Sequence, residues 1–448
     1  MSSTTPAFRP MLDNKPGKTA GVVEHVLNMP LVSLIGYVAL FSIAFGNLID
    51  VEADNQSVGF GGQALVKVMF LALGGLYGGI GVLTDAKVRR LLLSFPMMWM
   101  SLILFFFLVA IPTSVTVFTS LASTISIACV LLLTTTALVQ IGVKNVLNTV
   151  FYAAAAYVLG SWVAYFFVPD IGVFLEATSE GQFVHRMGGL SHPNTLGQVS
   201  GFTLVLSVLL FRDDKKFSWV RAIVIVAAAA ALVGSLSKTS MIASVIAVMY
   251  VYRMHIFQRR YALMVIVFGI VGLATLILAS MVIDIETKVS KKLGALSKSG
   301  DAAELTSATG RTEIWAETIN LVAQRPAVGF GAATSKELLK DYSLHTHNLV
   351  LNVALSTGVF GGALCLWMCL NRFFNLFLTQ HPIADSLVVF VLVNGLFENV
   401  IFSILCGLPT MIWVIALALP TLDAIENQEE NQEENPVSST GILKLSRN

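Results

Sequence analysis

The chain has 448 residues, of which 55% are hydrophobic and only 12% charged, and its mean hydropathy is +0.77. Soluble domains carry roughly 25% charged residues, so this composition excludes an ordinary soluble protein. A net charge of +1 leaves no electrostatic footprint for nucleic acid or another polyanion.

Apolar runs of membrane-spanning length recur along the chain and are too uniform for alternating barrel strands. An all-α, polytopic membrane bundle is expected, because each helix satisfies its own backbone in hydrocarbon. Residues 1–28 are polar and read as a cytoplasmic segment. About twelve spans are expected, starting near Pro30, Gln63, Leu91, Val115, Val146, Thr195, Ser218, Thr239, Tyr261, His347, Ala384 and Cys406. The first nine occupy 29–283 and the last three 347–422, with a long outer segment at 284–346 between them. Basic connections such as "DAKVRR" (85–90) and "VYRMHIFQRRY" (251–261) alternate with poorly basic ones. The positive-inside rule puts the basic set, and with it both termini, in the cytoplasm. The tail at 423–448 carries the acidic repeat "ENQEENQEEN" and is expected to be disordered. Cys129, Cys365, Cys369 and Cys406 all fall in apolar segments, as small buried thiols do.

The outer side holds three informative stretches: about 169–194, the turn "SLSKTS" (235–240), and the long segment. Within the last, "RTEIWAETINLVAQRP" predicts a helix with Ile314, Trp315, Ile319 and Val322 on one face, closed by Pro326. "VGFG" then predicts a tight turn. These stretches bring together His185, Arg186, His192, Lys238, Arg311, Glu313, Arg325, Asp341, His345 and His347. Basic groups on the outer side run against the topological bias, which makes Arg186, Lys238 and Arg311 candidates for binding an anion. The competing reading anchors them at lipid headgroups. His347 suits proton abstraction from a hydroxyl, while His345-x-His347 as a metal pair lacks a third ligand. Asn194, after Pro193, fits the N-cap of a helix starting at Thr195. Glu398 is an acid within an apolar run, paired with a bundle cation or acting directly.

"HNLVLNVALSTGVFG" (347–361) has the spacing His-Asn, nine residues, then Gly-x-x-Gly. It resembles the signature of the O-antigen ligase and polymerase superfamily. "RMGGLSHPNTLG" (186–197), "SLSKTSMIA" (235–243) and "GRTEIW…PAVGFG" (310–331) are similar to that family's other segments, in the same order. The resemblance implies a glycosyltransferase of the bacterial inner membrane, without metal or other cofactor and inverting, with its site on the periplasmic side. The donor would be a glycan on undecaprenyl pyrophosphate and the acceptor a sugar hydroxyl. That hydroxyl belongs to lipid A–core for a ligase, or to another lipid-linked repeat for a polymerase, and a chain-length regulator could assist. By position, His347 would be the base or the group that orients the acceptor, Arg186 and Arg311 would hold the pyrophosphate, and Lys238 would help them. Asn348, His345, Asn194 and Glu398 would support them. Lys238 stands where arginine is commoner, which weakens bidentate binding. A polysaccharide or anion transporter is the rival from another class, but such sites usually lie near the bilayer midplane between repeats.

Overall fold

A computed structural model of the chain describes residues 31–46, 62–177, 183–211, 218–253, 311–343, 345–378, 381–402 and 404–434. In chain order the helices are α1 (Leu31–Gly46), α2 (Gly62–Thr84), α3 (Ala86–Leu92), α4 (Met97–Ala110), α5 (Val117–Gln140), α6 (Val143–Phe167) and the single turn α7 (Pro169–Gly172). A hairpin of β1 (Val173–Ala177) and β2 (Phe183–Met187) follows. Then come α8 (Pro193–Phe211), α9 (Trp219–Gly234), α10 (Lys238–Val251), α11 (Arg311–Gln324), α12 (Ser335–Leu338), α13 (Leu349–Leu378), α14 (Pro382–Gly395) and α15 (Leu408–Glu434).

A helix begins within about three residues of ten of the twelve expected starts; Leu91 instead falls at the end of α3, and the start near Tyr261 lies outside the described residues, as do 1–28. Six described helices are long and apolar enough to cross a membrane, and α3 with α4, bent by 74°, makes a seventh if counted as one span. The chain is a multi-pass membrane protein of α-helices. α1, α9, α10 and α14 are apolar but shorter.

The core gathers around α15, where Met411 through Leu419 are all 0% exposed. A helix buried on every side is central to its bundle. α2 lies so close to α5 that a Cβ on Gly81 would stand 2.2 Å from Thr136, and small residues permit that approach.

Three expectations need correction. The helix expected to start at Thr195 begins at Pro193, which puts Asn194 in its first turn rather than at its cap. On α11 the buried residues are Ile314, Thr318, Leu321 and Val322, while Ile319 is exposed. Five residues at about 100° each turn Ile319 roughly 140° away from Ile314. The acidic repeat is helical through Glu434, continuing α15 without a break. Glu426 and Glu429 reach Lys87, and Glu429 also reaches Arg90. The stretch at 169–194, expected as a loop carrying His185, Arg186 and His192, also contains the antiparallel hairpin, with Phe174 opposite Arg186.

The long segment returns to the bundle through a break in α13. Gly358 there has φ +78°, ψ −174°, a conformation only glycine adopts easily. The break frees the carbonyls of Leu355 and Ser356, which accept from the N–H groups of Phe330 (2.9 Å) and Gly331 (2.9 Å). Val359 N–H donates in return to Pro326 O at 2.7 Å. A Cβ on Gly329 (φ +66°) would lie 2.6 Å from Gly358 N, so the two glycines face each other without room for a side chain. "PAVGFG" and the downstream Gly-x-x-Gly are thus two halves of one junction.

Candidate functional site

The hub of the site is Glu398, 8% exposed. It lies in the non-helical stretch between α14 and α15, past the end of helix α14 although still within the apolar run. Its Oε1 accepts from Arg311 Nη2 at 3.1 Å and from Asn194 Nδ2 at 3.2 Å. Its Oε2 lies 3.2 Å from His347 Nδ1. Burial raises the Glu398 pKa, but the His347 hydrogen bond and the charges of His347, Arg311 and His345 outweigh it, leaving it below the usual carboxylate value. An ionised carboxylate only accepts, so Nδ1 carries the proton and donates to Glu398. In the neutral ring Nε2 is then the lone-pair nitrogen.

His347 precedes α13 rather than opening it. Asn348 takes the cap position, its Oδ1 accepting from Leu351 N–H at 3.0 Å and its Nδ2 donating to Leu396 O at 3.1 Å. His347 itself has φ +49°, a left-handed conformation that costs a non-glycine residue of order 1–3 kcal/mol and calls for surrounding support. That support comes from Trp315, whose Nε1 donates to Thr346 O at 3.1 Å. Trp315 also stacks on Phe397 at a centroid distance of 6.5 Å, with the Arg311 guanidinium 5.6 Å from the Phe397 centroid.

The two arginines differ in availability. Strand alternation turns Arg186 inward and His185 outward, and Arg186 is 2% exposed. Its Nε donates to Ser235 O at 2.9 Å, its Nη2 to Asn194 Oδ1 at 3.0 Å, and its Nη1 to Glu176. Arg311 keeps 27% of its side chain exposed and commits only Nη2 among the described residues. Asn194 is the link between them, taking a bond from Arg186 and giving one to Glu398. Its backbone N–H donates to His192 Nδ1 at 3.2 Å, so His192 serves the helix start that Asn194 was expected to cap.

Lys238 begins α10, three residues past the carbonyl held by Arg186; it is partly buried and already has a partner. The turn before it packs on α8, where a Cβ on Gly197 would meet Ser237 at 2.5 Å. His345 is exposed, its ring 6.3 Å from that of His347. Among the described residues no group of three or more His, Cys, Asp or Glu side chains is placed to hold a metal. Glu313 and Asp341 are exposed, and Arg325 bonds Thr113 O instead of joining the hub. Of the eight site residues, His347, Arg311, Asn194, Glu398 and Arg186 thus form one bonded network, Asn348 and His345 flank it, and Lys238 borders it through the Ser235 turn.

Sequence reasoning missed Glu176, Trp315 and Ser343. Ser343 Oγ lies 3.1 Å from His347 Nε2; its place four residues before the histidine was the available signal. Glu176 had none, since its contact depends on the hairpin register.

Residues 223–366 match the family model described as O-antigen ligase. The matched span includes Lys238, Arg311, His347 and the Gly358 junction, while Arg186, Asn194 and Glu398 lie outside it. No curated protein and no solved structure matches the chain. This match over residues 223–366 supports membership of the O-antigen ligase superfamily.

Proposed function

We propose that the protein transfers a glycan from undecaprenyl pyrophosphate to a sugar hydroxyl of lipid A–core, at a site on the periplasmic side of the bacterial inner membrane. The observation that carries this reading is the single carboxylate of Glu398 holding a histidine on one oxygen and a partly open arginine on the other. His347 Nε2 takes the proton of the acceptor hydroxyl as its oxygen attacks the anomeric carbon. The bond from that carbon to the pyrophosphate oxygen breaks, its electron pair leaving with the phosphate and inverting the centre. Arg311 meets the developing charge with its Nε and Nη1, which bond no partner among the described residues, and Lys238 adds a second cation. Glu398 keeps Nδ1 protonated and stabilises the imidazolium that forms.

Arg186 takes a different role from the one its position first suggests. With all three nitrogens committed and almost no exposed surface, it braces the hairpin, the Ser235 turn and Asn194, and so positions Glu398. Purified protein supplied with undecaprenyl-pyrophosphate oligosaccharide, with and without lipid A–core, tests the reaction. Carrier release with one transfer to core supports the ligase. A product ladder made without core would replace it with a polymerase, and no release from matched donors would revive the transporter.

A further inference from the structure

His347 Nε2 is the nitrogen that must receive the acceptor's proton, yet in this structure it is not open. Ser343 Oγ stands 3.1 Å from it. The direction of that bond follows from counting donors. In the neutral ring that can serve as a base, Nδ1 carries the proton toward Glu398, so Nε2 accepts from Ser343. His345 N–H donates to the same Ser343 oxygen at 3.3 Å, which occupies a lone pair and leaves the O–H free to point at the ring. A hydroxyl thus already presents its hydrogen to the base, in the geometry an acceptor sugar needs.

Ser343 is well placed to leave. Its backbone is held by a 2.7 Å bond to Leu339 O at the end of α12, and its neighbour Tyr342 is 53% exposed. Rotation about χ1 alone withdraws the hydroxyl without moving the chain.

We propose that Ser343 is a placeholder for the acceptor: its hydroxyl occupies the hydrogen-bonding position on His347 Nε2 until an incoming sugar hydroxyl displaces it. Ser343 is then a positioning residue with no part in the chemistry. It keeps water off the base while donor is bound and acceptor is absent, and so suppresses hydrolysis of the lipid-linked donor. The inference rests on the transfer reading, in which His347 serves a sugar hydroxyl.

The test uses the full chain in lipid nanodiscs with 15N-labelled histidine, the His347 signals being assigned by their loss in His347→Gln. Lipid A–core added without donor should shift the Nε2 signal of wild type. Ser343→Ala should shift it with no ligand present, whereas Ser343→Thr, which keeps the hydroxyl, should retain the resting contact. In turnover, removing a competitor of ordinary hydrogen-bond strength should lower the acceptor KM by roughly two- to tenfold. Carrier release in the absence of acceptor should rise by a similar factor. A fall in kcat with KM unchanged in Ser343→Ala would make the serine part of the catalytic path and overturn the placeholder, as would no change in either quantity. If Ser343→Ala does not fold, Ser343→Cys, a weaker donor of nearly the same size, carries the comparison. Wild type that releases no carrier from matched donors refutes transfer itself. The resonance arm still decides the placeholder in that case, because displacement by the core glycolipid needs no donor.

Discussion

Two buried carboxylates stand at opposite ends of α14 and are treated differently. Glu398, past its C-terminal end, has both oxygens engaged, by partners from α8, α11 and the segment before α13. Asp385, in the first turn, is 0% exposed, and its partners crowd one oxygen. Its Oδ2 accepts from Tyr250 OH at 3.2 Å and from His381 N–H at 3.1 Å, with Arg253 Nη2 3.7 Å away. Among the described residues its Oδ1 has no partner, and neither does the Nε of Arg372, 4% exposed. A satisfied hub whose partners Arg311 and His347 are partly exposed can exchange one of them for a substrate. A sealed cluster with orphaned atoms has nothing to exchange and tolerates its imperfection to clamp α10 and α14 together. Burial of charge alone therefore does not mark the site; complete pairing beside partial exposure does.

Substitutions should separate the two ends. The largest effect belongs to His347→Ala, which should cut glycan transfer by about 10²–10⁴-fold while the protein still purifies as a folded monodisperse species. Transfer near the wild-type rate would remove His347 from the chemistry. Asp385→Ala should act on stability, by about 3–5 kcal/mol in reversible denaturation, because it strands Arg253 in a buried setting. Its turnover per folded molecule should match wild type, and a selective loss of turnover would erase the contrast between the clusters.

Glu398→Gln keeps the shape of the hub and removes its charge, costing about 1.5–3 kcal/mol at neutral pH. The folded-state pKa of Glu398 is depressed, so its contribution is fully present above the unfolded value and is lost as pH falls through the lower folded one. The stability gap between wild type and Glu398→Gln should therefore hold from pH 7 to about 5 and close only below about 4. A gap closing near pH 6 would assign the titration to another group.

Gly358→Ala forces a side chain into a left-handed backbone and against Pro326 O, for a loss of about 1–3 kcal/mol measured by thermal unfolding. The smallest effect is expected of Lys87→Ala, whose pairs with Glu426 and Glu429 are half-exposed. It should stay within about 1 kcal/mol and leave transfer unchanged.

What was legible in the sequence follows from the reach of each signal. Hydrophobic run length locates helix starts because it is local, and the His-Asn-x9-Gly-x-x-Gly spacing survives because it runs along one continuous stretch, from the turn before α13 to the break at Gly358. The role of Asn194 was misread because cap statistics describe the chain beside a residue, whereas its amide answers Glu398, 204 residues away. Glu398 looked embedded in a span because "GLFENVIF" is apolar, but the helix stops at Gly395 and the apolar flank packs in a loop. The acidic repeat lacks an apolar face, yet a helix already nucleated by α15 needs only propagation. The division between Arg186 and Arg311 depends on which nitrogens meet partners from the hairpin and the Ser235 turn. No pattern within either segment encodes that.

The junction at Gly358 has a consequence for how the molecule opens. The N–H groups of Phe330, Gly331 and Val359 are bonded only while the 326–331 segment and the broken helix α13 are docked. Neither partner can unfold locally without exposing the other's backbone, so these three amides belong to one cooperative unit. In hydrogen exchange they should lose protection at a common rate, although one side of the junction belongs to a membrane helix and the other to the segment outside it.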